Sequence, residues 1–158
     1  MRKQAILLAL ILGVFTAFDA SAFTAAIGGE FGLPVGGSLP DSSALLSFRV
    51  PKLPVVFGVG ANIPKNGGNG SFSLLADWWL AQGNLVSFVN YYVGPGVFAG
   101  VGNNSEFGVR VPIGLNAFPL KPLELFVEFA PAVTLIAPGG ISVPDWSLQT
   151  GFGFRFWF

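Results

Sequence analysis

The chain has 158 residues, enough for one domain and too few for two. It carries eight basic and eight acidic residues, and it has no cysteine and no histidine. Disulfides and thiolate chemistry are thereby excluded, a Ser-His-Asp triad is impossible, and the neutral balance gives no basic footprint for nucleic acid.

The first element is "MRKQAILLALILGVFTAFDASA". Arg2 and Lys3 precede an almost unbroken apolar run from Ala5 to Phe18, and a small-residue Ala-Ser-Ala ends at Ala22. This is the layout of a secretory signal peptide. The run is shorter than the ~20 residues a spanning helix needs, and no cysteine follows to take a lipid anchor. Residues 1–22 are expected to be a signal peptide, and 23–158 one domain. That domain keeps 13 of the 16 charges, where a soluble domain of its size would carry roughly 34. It also lacks the run of ~18 apolar residues that marks a spanning helix. Low charge without such a helix points to a membrane protein whose apolar residues are spread along alternating strands.

The period along the remaining chain is two. Eight strands are predicted, at 24–34, 43–50, 54–63, 71–80, 85–101, 106–117, 122–136 and 146–158. Between them lie "PVGGSLPDS", "VPKLP", "PKNGGNG", "AQGN", "GNNS", "FPLKP" and "APGGISVPD", all rich in turn residues. In the sixth strand Phe107, Val109, Val111, Ile113, Leu115 and Ala117 share one face; Glu106, Gly108, Arg110, Pro112, Gly114 and Asn116 share the other. In the eighth, Trp146, Leu148, Thr150, Phe152, Phe154, Phe156 and Phe158 alternate with Ser147, Gln149, Gly151, Gly153, Arg155 and Trp157. An even strand number puts both chain ends on one side. The connectors after strands two, four and six are short, as periplasmic turns are, and those after one, three and seven are longer, as external loops are. "GNNS" is a short exception. Pro95, Pro112 and Pro131 fall inside strands; a closed barrel has no free edge to receive them, so they are expected at local bulges.

The polar face is rich in glycine and poor in charge, which makes a poor water-exposed exterior. It makes a good interior, because a narrow barrel fills its lumen with mixed small and large side chains. On this register Glu30, Arg49, Asp77, Glu106, Arg110, Glu124, Glu128 and Arg155 point inward, together with Trp79, Phe88, Tyr92, Phe98, Phe126 and Trp157. Arg49, Asp77 and Arg155 are placed near the periplasmic ends of their strands. Glu128 is placed about opposite Arg155, with Arg110 close by, so Arg155, Arg110, Glu128 and Glu124 are expected to form one connected cluster. Buried charges are tolerated when paired. The network is read as filling and fixing the barrel; a gated pore or proton path is the functional alternative.

The stretches "NYYVGPGVFAG", "EFGVRVPIGLNAF", "LELFVEFAPAV" and "WSLQTGFGFRFWF" resemble the last four strands of small bacterial outer-membrane β-barrels, the class that includes OmpA, OmpX and OmpW. The likeness covers all of 23–158. It implies an eight-stranded antiparallel up-and-down transmembrane barrel, exported to the outer membrane and facing lipid. The closing alternation of Phe152, Phe154, Phe156 and Phe158 is similar to the class's C-terminal assembly signal. That likeness implies the outer-membrane insertion machinery as a partner.

No catalytic residue, cofactor or metal site is expected. Glu124 and Glu128 have the residue types of a glycosidase pair, but two strand positions four apart inside a packed barrel offer no cleft. "GPGVFAG" has the glycines of a phosphate loop without its Lys-Ser/Thr or its helix. Without His or Cys, a metal site would rest on loop oxygens such as those of Asp41 or Asp145, which nothing else supports. The function expected is a structural or envelope role with a largely plugged lumen. A narrow channel for ions or small hydrophobic molecules is the alternative, and adhesion through the loops the weakest reading.

Overall fold

The computed structural model describes residues 25–32, 44–50, 53–62, 70–102, 105–137 and 140–158. The expected signal segment 1–22 and most of the first two expected external loops lie outside these. Eleven strands run in order: β1 (Ala26–Gly32), β2 (Ala44–Arg49), β3 (Val55–Asn62), β4 (Ser71–Trp78), β5 (Ala81–Val86), β6 (Val89–Val93), β7 (Gly96–Val101), β8 (Glu106–Arg110), β9 (Ile113–Leu120), β10 (Leu123–Ala137) and β11 (Gly140–Trp157). No helix occurs among the described residues.

Three pairs of these are single barrel strands with an interruption: β4 with β5, β6 with β7, and β8 with β9. The result is a closed, eight-stranded antiparallel barrel in which each strand pairs with its neighbour in sequence. β11 closes the ring on β1, and beyond the ladder Ala25 and Phe158 exchange backbone hydrogen bonds of 3.2 and 3.0 Å. Following Cα partners from Trp157 gives Ala26, Arg49, Val56, Asp77, Gly96, Arg110 and Ala132. The path re-enters β11 at Ser147, ten residues from its start. Such a stagger tilts the strands by about 40° from the barrel axis.

Alternation sets what lies inside. Leu45, Leu75, Phe98 and Ala132 form one buried cluster, and Val56, Trp79 and Tyr92 another. Large inward side chains stand beside glycines on the next strand: Leu75 opposite Gly58, Phe98 opposite Gly108, Tyr92 opposite Gly114 and Phe126 opposite Gly153. A Cβ on Gly114 would lie 2.1 Å from the Tyr92 ring, and one on Gly153 2.5 Å from the Phe126 ring. The glycine-rich face is therefore the complement of the aromatic one. Outside, Ile27, Leu46, Leu74, Val109, Ile113, Leu125 and Phe152 are exposed.

The hairpins differ from expectation at three places. "AQGN" is strand, in β5, and the chain turns at Ser87–Phe88, where Ser87 has φ 46°. Phe88 sits at that tip and is 61% exposed, so it does not fill the lumen. "APGGISVPD" is mostly strand as well: Ala137 pairs with Gly140 and Ile136 with Ile141, so the expected long external loop is an extended hairpin. Of "FPLKP", the turn proper is Lys121–Pro122, with 118–120 in β9.

The prolines were expected at bulges; the ladder has one beside Pro95, facing strand four, and none at Pro112 or Pro131. Tyr92↔Gly114 and Gly96↔Arg110 keep one register across Pro95 and Pro112. Pro131 stays within β10, opposite Leu148. Each proline leaves a ladder pair half made. Trp78 N donates to Pro95 O (2.8 Å), Gly94 N to Pro112 O (3.3 Å) and Val111 N to Pro131 O (2.9 Å). The reciprocal donors are missing, because proline has no N–H. The three half-pairs run side by side across four strands and make a seam in the wall. Pro95 and Pro131 also border an apolar groove of about 550 Å³ on the exterior, between Trp78 and Trp146.

A true bulge lies beside this seam. Three residues (78–80) separate Asp77 from Ala81, while two (94–95) separate their partners Gly96 and Val93. The extra residue reverses the alternation of strand four. Asp77 and Trp79 are buried above it; below it Gln82 and Asn84 pair with Tyr92 and Asn90, and so share the inner face.

Candidate functional site: the charged lumen and the closing strand

The inward charges fall into two sets. Arg110, from β8, faces Asp77 of β4 with Nε 3.1 Å from Oδ1, an ion pair without hydrogen-bond alignment. Its guanidinium also binds Glu128 Oε1 of β10 and donates to Gln149 Oε1 of β11 at 2.8 Å. Tyr92 Oη donates to the other Glu128 oxygen at 2.9 Å. Arg155, from β11, holds the second set. Its Nη1 lies 3.3 Å from Glu124 Oε1, its Nε donates to Ser47 Oγ at 2.9 Å, and it lies 3.8 Å over the Phe126 ring. Glu124 also accepts from Asn116 Nδ2 (2.6 Å) and Trp157 Nε1 (2.8 Å).

These contacts correct the expected single cluster. In the final hairpin Arg155 stands opposite Glu124, and Glu128 stands opposite Gly151. Arg155 and Glu128 therefore belong to different sets. Asp77 lies well inside its strand, which runs on through β5, and so reaches Arg110 instead of sitting at a strand end. Glu30 is buried, and its Oε1 has no hydrogen-bond partner. Arg49 is half-buried at the end of the barrel that carries Phe158. Its guanidinium lies 3.9 Å over the Trp79 ring and donates to Gln82 Oε1 at 3.1 Å.

The lumen encloses these charges. Arg110, Arg155, Tyr92, Phe98 and Glu124 each expose 2% or less of their surface. Ion pairs so enclosed add little net stability, since desolvation offsets attraction, but each becomes costly to break singly. Ser47, Asn116 and Gln149 complete the pairing and were not identified from the sequence. Their alternation marks them as inward, yet Ser47 and Arg155 meet across the closing seam, a partnership no local pattern encodes.

On the closing strand, Phe152 and Phe154 are exposed on the exterior, while Phe156 and Phe158 are half-buried. Phe152 packs beside Phe31 of β1 with ring centroids 5.7 Å apart, and Phe154 meets Phe156 edge-on at 5.8 Å. Among the described residues no group of three or more acidic side chains is placed to hold a metal ion. Comparison with known protein families, characterised proteins and solved structures finds no match for this chain.

Proposed function

We propose that this chain is an integral outer-membrane β-barrel protein without catalytic activity, and that its filled lumen gives it a structural role in the envelope. The observation that carries the reading is the distribution of charge. Among the described residues Lys121, in a turn, and Asp145, at the rim opposite the chain ends, are the exposed charges; the other charged side chains lie on the inner face. The wall between the rims presents apolar side chains on every strand. In water this would be an exposed patch far beyond the few hundred Å² a soluble monomer carries. In hydrocarbon it needs no polar partner, and closure pairs the backbone with itself. The likeness of the last four strands to OmpA-, OmpX- and OmpW-type barrels supports the same reading, as does the closing phenylalanine alternation.

Planar-bilayer recording of the purified barrel tests the role, alongside vesicle reconstitution to test insertion. The expected result is protease-protected β-structure in vesicles and no steady conductance. Steady ion conductance by inserted protein would replace the structural reading with the narrow channel. Failure to enter vesicles at all would overturn the membrane reading itself.

A further inference from the structure

At the end of the barrel that carries Phe158, a pocket of about 250 Å³ opens between the lumen floor and the projecting β5–β6 hairpin. It is lined by one cation, Arg49, by the rings of Trp79, Tyr91, Phe118 and Trp157, and by the amides of Gln82, Asn84, Asn90 and Asn116. The bulge at 78–80 creates this lining, because it turns Gln82 and Asn84 to the inner face. Asn84, Asn90 and Asn116 are then successive Cα partners on three adjacent strands, an asparagine row across the pocket floor.

Arg49 is the unusual member. Among the described residues no carboxylate lies within ion-pair distance of it, whereas Arg110 has two and Arg155 one. Its Nε is buried without an acceptor, and its guanidinium is fixed between Trp79 at 3.9 Å and Trp157 at 5.4 Å. A half-buried cation held rigid and short of acceptors is poised for an anion, and the planar fork fits a carboxylate best. The amides keep spare capacity. Among the described residues Gln82 Oε1 accepts from Arg49 and its NH₂ is not engaged, while Asn116 Nδ2 donates to Glu124 Oε1. Amides flanked by ring faces are the chemistry that holds a sugar: hydroxyls meet the amides and the C–H face lies on a ring. A purely aromatic acid would leave the amides unused.

We propose that this pocket binds a sugar acid, with its carboxylate on Arg49, its hydroxyls on Gln82, Asn90 and Asn116, and its apolar face on an aromatic ring. The site depends on the barrel's mouth and not on which solvent surrounds the wall, so it stands or falls separately from the proposed membrane role.

The test is NMR titration of the full barrel in detergent micelles, following the indole N–H signals of Trp79 and Trp157. The probes are glucuronate, glucose and benzoate. Glucuronate is expected to shift both signals saturably, to bind at least about tenfold more tightly than glucose, the factor one charge-assisted bidentate contact supplies, and to bind more tightly than benzoate, which leaves the amides unused. Arg49→Gln should abolish the preference over glucose. Gln82→Ala, on the hairpin outside the closed wall, should weaken glucuronate with the barrel intact. Equal binding of glucuronate and glucose would overturn the proposal, as would benzoate binding as tightly as glucuronate. So would glucuronate binding indifferent to Gln82→Ala and Arg49→Gln.

Discussion

Trp79 and Tyr92 stack face to face, their ring centroids 3.8 Å apart and their planes 11° from parallel. Arg49 covers the other face of Trp79, and Tyr92 Oη reaches on to Glu128. The stack thus joins the mouth of the barrel to the Asp77–Arg110–Glu128 set. Tyr92→Phe keeps the ring and removes the hydrogen bond to a buried carboxylate. It should lower stability by about 1.5–3 kcal/mol, the range for a bond to a charged group. Reversible urea unfolding in micelles measures it, and an unchanged midpoint would mean the hydroxyl is replaceable there.

The final hairpin makes a second prediction. Arg155→Leu should cost about 3–5 kcal/mol by leaving Glu124 unpaired in the lumen. Arg155→Leu with Glu124→Leu should cost less than the sum by about 0.5–3 kcal/mol. Arg155→Leu with Glu128→Leu should be nearly additive, because the two residues belong to different sets. A larger coupling to Glu128 than to Glu124 would refute the hairpin register.

Lumen glycines should be intolerant where they face rings and backbone. At Gly108 a Cβ would lie 2.4 Å from both Phe98 Cζ and the Val133 carbonyl oxygen. Gly108→Ala should therefore destabilise by about 1–3 kcal/mol, as overpacking does. At Gly29 the nearest atoms are ring carbons of Phe31, 3.5 Å away, an ordinary contact. Gly29→Ala should stay within about 0.5 kcal/mol of the parent. Paired melting curves of the two variants decide it.

The proline seam predicts a local weakness. The amides of Trp78, Gly94 and Val111 should exchange with solvent deuterium faster than those a few residues along the same strands, since each belongs to a half-made pair. Pro112→Ala restores a donor opposite Gly94 and should slow exchange at Gly94. Uniform protection along strands four to seven would show that the missing donors have no effect on the wall.

Removal of Phe158 takes away both Ala25–Phe158 backbone bonds at the closing seam. On the assembly-signal reading the truncated chain should be secreted normally but reach the outer membrane in reduced yield. Fractionation of cells expressing it is the measurement; full yield would confine the alternation to packing.

The eight strands, and which side chains point inward, were legible because period two survives wherever one face is enclosed. Arg110 and Glu128 reach the lumen as their parity requires. The break in parity at 78–80 could not be seen: one inserted residue leaves no compositional mark, and "AQGN" has the content of a turn while forming a strand. "APGGISVPD" misled for the same reason, since Gly140 and Pro144 sit in β11. Partner choice was harder still. Whether Arg155 meets Glu124 or Glu128 depends on the β10–β11 register, in which Ala137 pairs with Gly140, whereas the loop first assigned between these strands ran over 137–145.

The pairing of Arg155 with Glu124 also bears on the order in which the barrel is built. They lie on β10 and β11, adjacent in sequence and paired in the sheet, so the C-terminal hairpin contains its own counter-charge. Asp77, Arg110 and Glu128, by contrast, come from three barrel strands and meet once those are side by side. A hairpin formed early from β10 and β11 would carry one paired set and a single uncompensated carboxylate, Glu128, which awaits β8. On growth from the C-terminal end Glu128 would gain its counter-charge when β8 joins, and Asp77, on β4, would reach Arg110 only later.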